Sequence, residues 1–236
     1  MTQFLEALAM GDVFQSINQS AHDLAKEISK TTKKKHPSSL VKEHKKSITA
    51  IKKVLKTSYV DYHGRMKHGM DLLVHSGLLA QIDVSKFFES VSKKSAPELS
   101  DTLFQHKIGI SDDTILSFYE CGTHFFDIND FVSAGDIFLV LTFLNPFVPS
   151  FWVGLGMSEE MRHEFDGAAL AFLMAAELQE NGYAWAIRAA ECYNKANKPE
   201  QARAVLDVVI NETSKHPKHA ELKNQALTVK KCMSSR

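Results

Sequence analysis

The sequence has few of the residues that break helices and few that cross-link chains. Only 11 glycines and 6 prolines occur among 236 residues, and the prolines stand at segment edges, which favours helices joined by short connections. The three cysteines, Cys121, Cys192 and Cys232, have no paired spacing. They exclude a disulfide framework and a cysteine zinc site, and they indicate a reducing compartment.

Long apolar runs and a leader sequence are also missing. The longest apolar run, residues 137–141, is far shorter than the roughly 20 residues that a membrane-spanning helix needs. The N-terminus carries the acidic residues Glu6 and Asp12 and no basic region, so it does not resemble a signal peptide. The sequence therefore predicts a cytoplasmic protein without a membrane span.

Three segments of the chain can be superimposed at a spacing of 34 residues. A small residue, a second small residue twelve positions later and a large apolar residue four beyond that recur, which is the pattern of tetratricopeptide hairpins. Small residues let two antiparallel helices approach, and large residues fill the space between hairpins. The matching columns are Gly122, Gly156 and Ala190; Ala134, Ala168 and Ala202; Phe138, Phe172 and Leu206; Leu141, Ala175 and Val209; and Phe118, Trp152 and Ala186.

The repeats lie in the second half of the chain. Hairpins are predicted over residues 111–146, 147–182 and 183–217, with turns at 127–130, 163–165 and 196–199. An apolar-periodic segment, residues 218–232, predicts a helix that caps the last repeat. The sequence thus predicts an all-α protein with a helical N-terminal region at 1–100, a boundary near Pro97 and a repeat domain at 108–234.

Charge is balanced overall but unevenly distributed. The 28 basic and 28 acidic residues cancel, yet residues 26–56 hold eleven lysines against two glutamates. Residues 97–185 hold fourteen acids against two bases, Lys107 and Arg162. Three interpretations of the basic segment stay open: a solvated helix face, a site for nucleic acid or an anionic membrane, and a partner of the acidic repeats. Few arginines or aromatic residues interleave it, so we expect no nucleic acid partner.

Catalytic motifs are absent from the sequence. It has no phosphate-binding loop, nucleophile elbow, HExxH or dinucleotide fingerprint. Cys121 and His124 lie three residues apart, but Cys121 falls in a packing position of the first hairpin, which argues against a catalytic thiol. We expect no enzyme activity, no cofactor and no metal site. Five residues could be taken for metal ligands, but their spacing matches no usual zinc site: His63, His68, His75, Asp61 and Asp71.

Two short runs distinguish these repeats from a generic array. Residues 151–156 read F-W-x-G-L-G in the second repeat, and residues 189–192 read A-A-E-C in the third. With three repeats and a C-terminal helix, residues 108–234 resemble the class II type III secretion chaperones, the SycD/LcrH-like family. The family usually has only a short helical leader, whereas about 110 residues precede the first repeat here. The resemblance therefore leaves the role of residues 1–100 open.

The resemblance implies a function for the repeat domain. It implies a chaperone of the bacterial cytoplasm that binds translocator proteins through a short extended Pro- and Leu-containing segment and keeps them soluble and apart before export. A homodimer is a further prediction about its partners. Two alternatives stay open: a generic tetratricopeptide scaffold for protein–protein interaction, and a regulator that binds through its basic N-terminal segment.

The first helices of such hairpins line a concave groove, and four positions of each helix point into it. The predicted groove is apolar at one end and polar at the other, which suits an extended peptide with a few apolar anchors. Met157 would allow adaptable packing against different peptides. Packing between hairpins is the competing interpretation of the same side chains. The predicted peptide-binding residues are Leu116, Tyr119, Thr123, Phe126, Val153, Met157, Ile187 and Glu191.

Overall fold

All regular structure in the described part of the chain is helical. The structure is a computed structural model, and it describes residues 62–78 and 104–233. None of the helices in these ranges is both long and apolar enough to cross a membrane. The helices are α1 (Tyr62–His75), α2 (Phe104–Lys107), α3 (Asp112–Asp127), α4 (Phe131–Leu144), α5 (Pro149–Met161), α6 (Phe165–Leu178), α7 (Tyr183–Lys195), α8 (Pro199–Ser214) and α9 (Ala220–Met233), with a 3-10 turn at Pro217–His219.

Helices α3 to α8 form the three predicted hairpins. Each hairpin turns at a residue in the left-handed backbone region: Asn129 (φ 63°), His163 (φ 63°) and Asn197 (φ 57°). These residues are spaced by the repeat period of 34. The next N–H donates to the carbonyl five residues earlier at 2.9 Å in all three turns, which is a Schellman-type helix end. The predicted turns and the predicted period are therefore confirmed.

Side-chain and proline caps define where several helices begin. The Ser111 hydroxyl accepts a hydrogen bond from the Thr114 N–H at 3.2 Å, which caps α3. The Asp130 carboxylate accepts from the Ser133 N–H at 3.1 Å and caps α4 in the same way. It also accepts from the Ser133 hydroxyl at 2.7 Å, and this second hydrogen bond is the main cause that lowers the pKa of Asp130. Pro149 and Pro199 stand in the first turns of α5 and α8, where a missing N–H costs nothing.

Helices approach one another closely at the small-residue column of Gly122 and Gly156 and at a further glycine, Gly154. A Cβ on Gly122 would lie 3.2 Å from Ile137 and 3.3 Å from the Phe138 ring, and one on Gly154 would overlap that ring. A Cβ on Gly156 would lie 2.9 Å from the Phe172 ring. The large apolar residues of the repeat thus pack directly onto backbone, as the repeat pattern predicts.

Helices α4 and α5 are the most deeply enclosed of the described elements. Every residue from 133 to 144 and from 149 to 160 is buried. Helix α4 packs against α1, α3 and α5, and α5 packs mainly against α4 and α6. A helix that is enclosed on all sides has no amphipathic pattern, which explains why periodicity alone says little about these two.

Helix α1 packs against α4 of the first hairpin, although it precedes the predicted boundary near Pro97. Its side chains Met66, Met70 and Leu73 are fully buried and belong to the same core as α3 to α6. Part of the predicted N-terminal region therefore shares a core with the repeats. Pro97 itself and the basic segment 26–56 lie outside the described residues, so the division into two regions remains a proposal.

Helix α9 closes the C-terminal end of the array. It packs on α7 and α8, as the prediction of a capping helix requires. A second, smaller core forms there, and its buried members are Ile187, Ala190, Ala202, Leu206, Val209, Ala226 and Met233.

We expect Ala168→Leu to lower the free energy of unfolding by about 1–3 kcal/mol, because the larger side chain overpacks a fully buried hairpin contact. Ala204→Leu, on the exposed side of α8, is the matched control and should change stability little. Urea midpoints of the two variants test this. Equal midpoints would show that the packing register is misplaced.

A chain that begins at residue 105 should be less stable than one that begins at residue 62. The shorter chain lacks α1, which exposes the outer side of α4 and leaves the buried Asp136 and Glu159 without Arg65. Loss of one partner from such a buried ion pair typically costs about 3–5 kcal/mol. Thermal denaturation followed by circular dichroism measures the difference, and identical transitions would contradict the shared core.

Candidate peptide-binding groove

The first helices of the three hairpins, α3, α5 and α7, are arranged side by side. Helix α3 contacts α5, and α5 is joined to α7 by ion pairs from Glu160 to Arg188 and Lys195. The predicted groove residues lie on these three helices. We call the surface that they were predicted to line the groove.

The first repeat contributes four of the predicted groove residues, and two of them are buried. The Tyr119 ring lies 5.7 Å from the Phe138 ring and 6.0 Å from the Phe151 ring, centroid to centroid. Phe126 packs edge-on against Phe131 at 5.2 Å. The other two, Leu116 and Thr123, are half-buried, and the Thr123 hydroxyl donates to the Tyr119 carbonyl at 2.9 Å.

The second repeat contributes two residues that are both buried. Val153 is 2% exposed and Met157 is 6% exposed. Both belong to the main apolar core together with Tyr119 and Phe126. In this conformation the apolar end of the groove therefore does not offer open side chains to a peptide.

The third repeat separates its two predicted residues. Ile187 is buried in the second core, which also contains Ala226 and Met233 of the capping helix α9. Glu191 is half-buried and accepts a hydrogen bond from Arg188 Nη1 at 3.3 Å. Burial raises the pKa of Glu191, and the nearby Arg188 opposes the shift. Of the two, Glu191 is the one whose surroundings are polar.

A charged cluster occupies the polar end of the groove, and its bonding cannot be read from the sequence. We call Glu160, Arg188, Glu191 and Lys195 the groove cluster. Arg188 Nε donates to one Glu160 oxygen at 2.8 Å, and Lys195 Nζ donates to the other at 2.8 Å. Burial disfavours the charged form of Arg188, but Glu160 and Glu191 outweigh it and raise its pKa. Glu160 is a groove position by register, yet its partners lie 28 and 35 residues away, beyond any local pattern.

The cysteines near the groove are not activated. Burial raises the pKa of Cys121, and burial together with the Glu160 charge raises the pKa of Cys192 well above its usual range. A reactive thiol needs the opposite shift. In residues 62–78 and 104–233, no group of histidine, cysteine, aspartate or glutamate side chains could hold a metal ion.

Comparison with known proteins gives structural matches only. No protein-family model matches the chain, and no curated protein matches it. The fold is similar to the CopN-Scc3 complex, with 27% identity and a TM-score of 0.51 over 60% of this chain and 84% of that one. It is also similar to the Yersinia enterocolitica type III secretion translocator chaperone SycD, with 19% identity and a TM-score of 0.46 over 55% of this chain and 97% of SycD.

A third similar structure is PcrH in complex with the chaperone binding region of PopD. The identity is 21% and the TM-score is 0.47, over 54% of this chain and 96% of PcrH. The resemblance that the sequence indicates is confirmed to the extent of a fold similar to the CopN-Scc3 complex.

Removal of the central carboxylate of the groove cluster should destabilise the protein. Glu160→Ala leaves Arg188 and Lys195 without their shared acceptor, and we expect a loss of about 1–2 kcal/mol, because both cations retain some solvent contact. Glu200→Ala breaks an exposed pair with Arg203 and should cost less than about 0.5 kcal/mol. Urea denaturation compares the two variants, and an equal loss would show that the groove cluster contributes no more than a surface pair.

Proposed function

We propose that the protein is a cytoplasmic type III secretion chaperone that binds an extended segment of a translocator protein in the groove. The observation that carries this proposal is the succession of apolar positions on α3 and α5 followed by the groove cluster on α5 and α7. First helices that lie side by side form one continuous surface, and a short segment of a client protein with apolar anchors can bind along it. Similarity to the CopN-Scc3 complex supports the proposal.

Each part of the groove has a proposed role. Tyr119, Val153 and Met157 would receive apolar anchors such as the leucine of a Pro- and Leu-containing segment, and Phe126 and Leu116 would border them. Glu191 and Thr123 would meet polar groups of the client backbone or side chains. Ile187 would act indirectly, since it is buried in the second core together with residues of the capping helix.

The burial of the apolar positions has a kinetic consequence. Tyr119, Val153 and Met157 are each less than 9% exposed, so a client reaches them only after side chains move. Binding that requires such a change is slower than the typical association of preformed surfaces, about 10⁵–10⁷ M⁻¹s⁻¹. The chaperone would therefore take up its client slowly.

A non-enzymatic role fits the same observations. The groove contains no activated nucleophile among the described residues, and its charged groups are paired with one another. A homodimer remains part of the proposal. A tetratricopeptide scaffold that holds a partner which is never exported is the alternative function, since the same groove would serve it.

The groove assignment can be tested with co-expressed candidate translocators. Tyr119→Ala combined with Met157→Ala removes two apolar contacts, and we expect client affinity to fall at least tenfold, which corresponds to about 1.4 kcal/mol. Val209→Ala, equally buried but in the second core, is the matched control for loss of stability. Pull-down and calorimetric titration are done at a temperature where circular dichroism shows all variants folded.

The outcomes separate the proposed functions. Undiminished client binding by the double variant would contradict the groove assignment. A stable complex that is not secreted would favour the scaffold, and a steep salt dependence of DNA retention would favour a regulator that binds through the basic segment.

A further inference from the structure

A buried charge network joins α1 to the repeats. Arg65 is 6% exposed and donates through Nε to Asp136 on α4 and through Nη2 to Glu159 on α5. His68 Nδ1 lies 2.8 Å from the second oxygen of Asp136. One arginine fork thus holds carboxylates from two different repeats.

Two glycines make room for this network. A Cβ on Gly69 would overlap the Asp136 carbonyl, so α1 can lie directly on the backbone of α4. A Cβ on Gly135 would come within 3.0 Å of Arg65 Nη2 and 3.4 Å of the Glu159 carboxylate. The close approach lets a single side chain reach both acids, which a surface arginine on a more distant helix would not do.

Glu159 is adjacent in sequence to Glu160, the central carboxylate of the groove cluster. The two side chains emerge from the last turn of α5 toward different elements. Glu159 accepts from Arg65 and, at 3.2 Å, from Arg162 Nη1, whereas Glu160 accepts from Arg188 and Lys195 on α7. The last turn of α5 is therefore held by a buried charge pair with α1 and by partly buried charge pairs with α7.

We propose that Arg65 is a positioning residue of the groove, which acts through Glu159 to hold the last turn of α5 and so keeps Glu160 aligned with Arg188 and Lys195. Helix α1 is then part of the client-binding unit although it does not touch the groove cluster. Coupling of this kind is reciprocal, so a client that engages the cluster would also stabilise the docking of α1. The consequence for clients rests on the proposed function, whereas the coupling between Arg65 and the cluster does not.

A native cysteine reports on the cluster without any client. Cys192 is fully buried on α7 among Glu160, Arg188 and Lys195, and Cys121 on α3 is half-buried. In a Cys232→Ser background, the rate at which Cys192 reacts with a thiol reagent at constant pH measures how often this part of the fold opens. Peptide mapping resolves the reaction of Cys192 from that of Cys121.

The comparison uses two isosteric variants of the same network. Glu159→Gln and Asp136→Asn each remove one carboxylate charge from Arg65, but only Glu159 belongs to α5. We expect Glu159→Gln and Arg65→Met to raise the Cys192 labelling rate about tenfold, with Asp136→Asn changing it less than about threefold. The double variant Arg65→Met with Glu159→Gln should be no faster than Arg65→Met alone, because both act at one contact.

Several results would overturn the proposal. Additive effects of Arg65→Met and Glu159→Gln would show that Arg65 does not act through Glu159. Equal acceleration by Asp136→Asn, or equal acceleration of Cys121, would show general loosening of the fold instead. If Arg65→Met does not fold, the two isosteric variants still decide the question, and unchanged labelling in Glu159→Gln contradicts the proposal.

Client binding separates this inference from the proposed function. If both hold, Glu159→Gln weakens binding of a co-purified translocator several-fold more than Asp136→Asn does. If labelling changes as expected and no translocator binds even the wild-type protein, the positioning role stands and the proposed function is wrong.

Discussion

The close approach of helices at the glycine positions is the contact on which the rest of the structure depends. The Phe138 ring lies between Gly122 of α3 and Gly154 of α5, where a Cβ on either glycine would crowd or overlap it. One side chain therefore joins its own hairpin to the next. Gly156 receives Phe172 in the equivalent way in the second hairpin. Interiors packed at this density do not deform gradually, so the spacing of successive first helices is set by these contacts.

The groove follows from that spacing. Because α3, α5 and α7 lie side by side, Glu160 reaches two cations of α7, and Tyr119 packs toward Phe151 of the second repeat. Apolar groove positions end up within the main core, while the third repeat places charged groups at the other end. The predicted groove is closed at its apolar end in this conformation, so a peptide would reach these positions only after movement of side chains that also stabilise the fold.

Helix α1 extends the repeat array beyond what the resemblance to secretion chaperones covers. It encloses α4, and its Arg65 adds a buried charge to an otherwise apolar contact. Burying three charges is favourable only when each has well-placed partners, and the Arg65 guanidinium still has one buried nitrogen, Nη1, without a hydrogen bond. The network therefore contributes geometric specificity more than net stability, which is consistent with a positioning role for Arg65.

Sequence alone determined the elements that depend on local or periodic patterns. The sequence predicts the 34-residue period from the spacing of small and apolar residues, and it predicts the turns and the capping helix from local residue patterns. The structure confirms the period, the turns at Asn129, His163 and Asn197, and the capping helix. The eight predicted groove residues follow from the register alone, so their role in binding remains a proposal.

Only the tertiary structure decided which of these residues are accessible and what surrounds them. The burial of Val153 and Met157 depends on contacts between distant segments, as does the burial of Ile187 in the core that it shares with the capping helix. The hydrogen bond from Arg65 to Asp136 likewise joins residues that are 71 positions apart. Periodicity shows which side of a helix is apolar. It does not identify the helix that packs on that side, nor the charged side chain that pairs with a buried residue there.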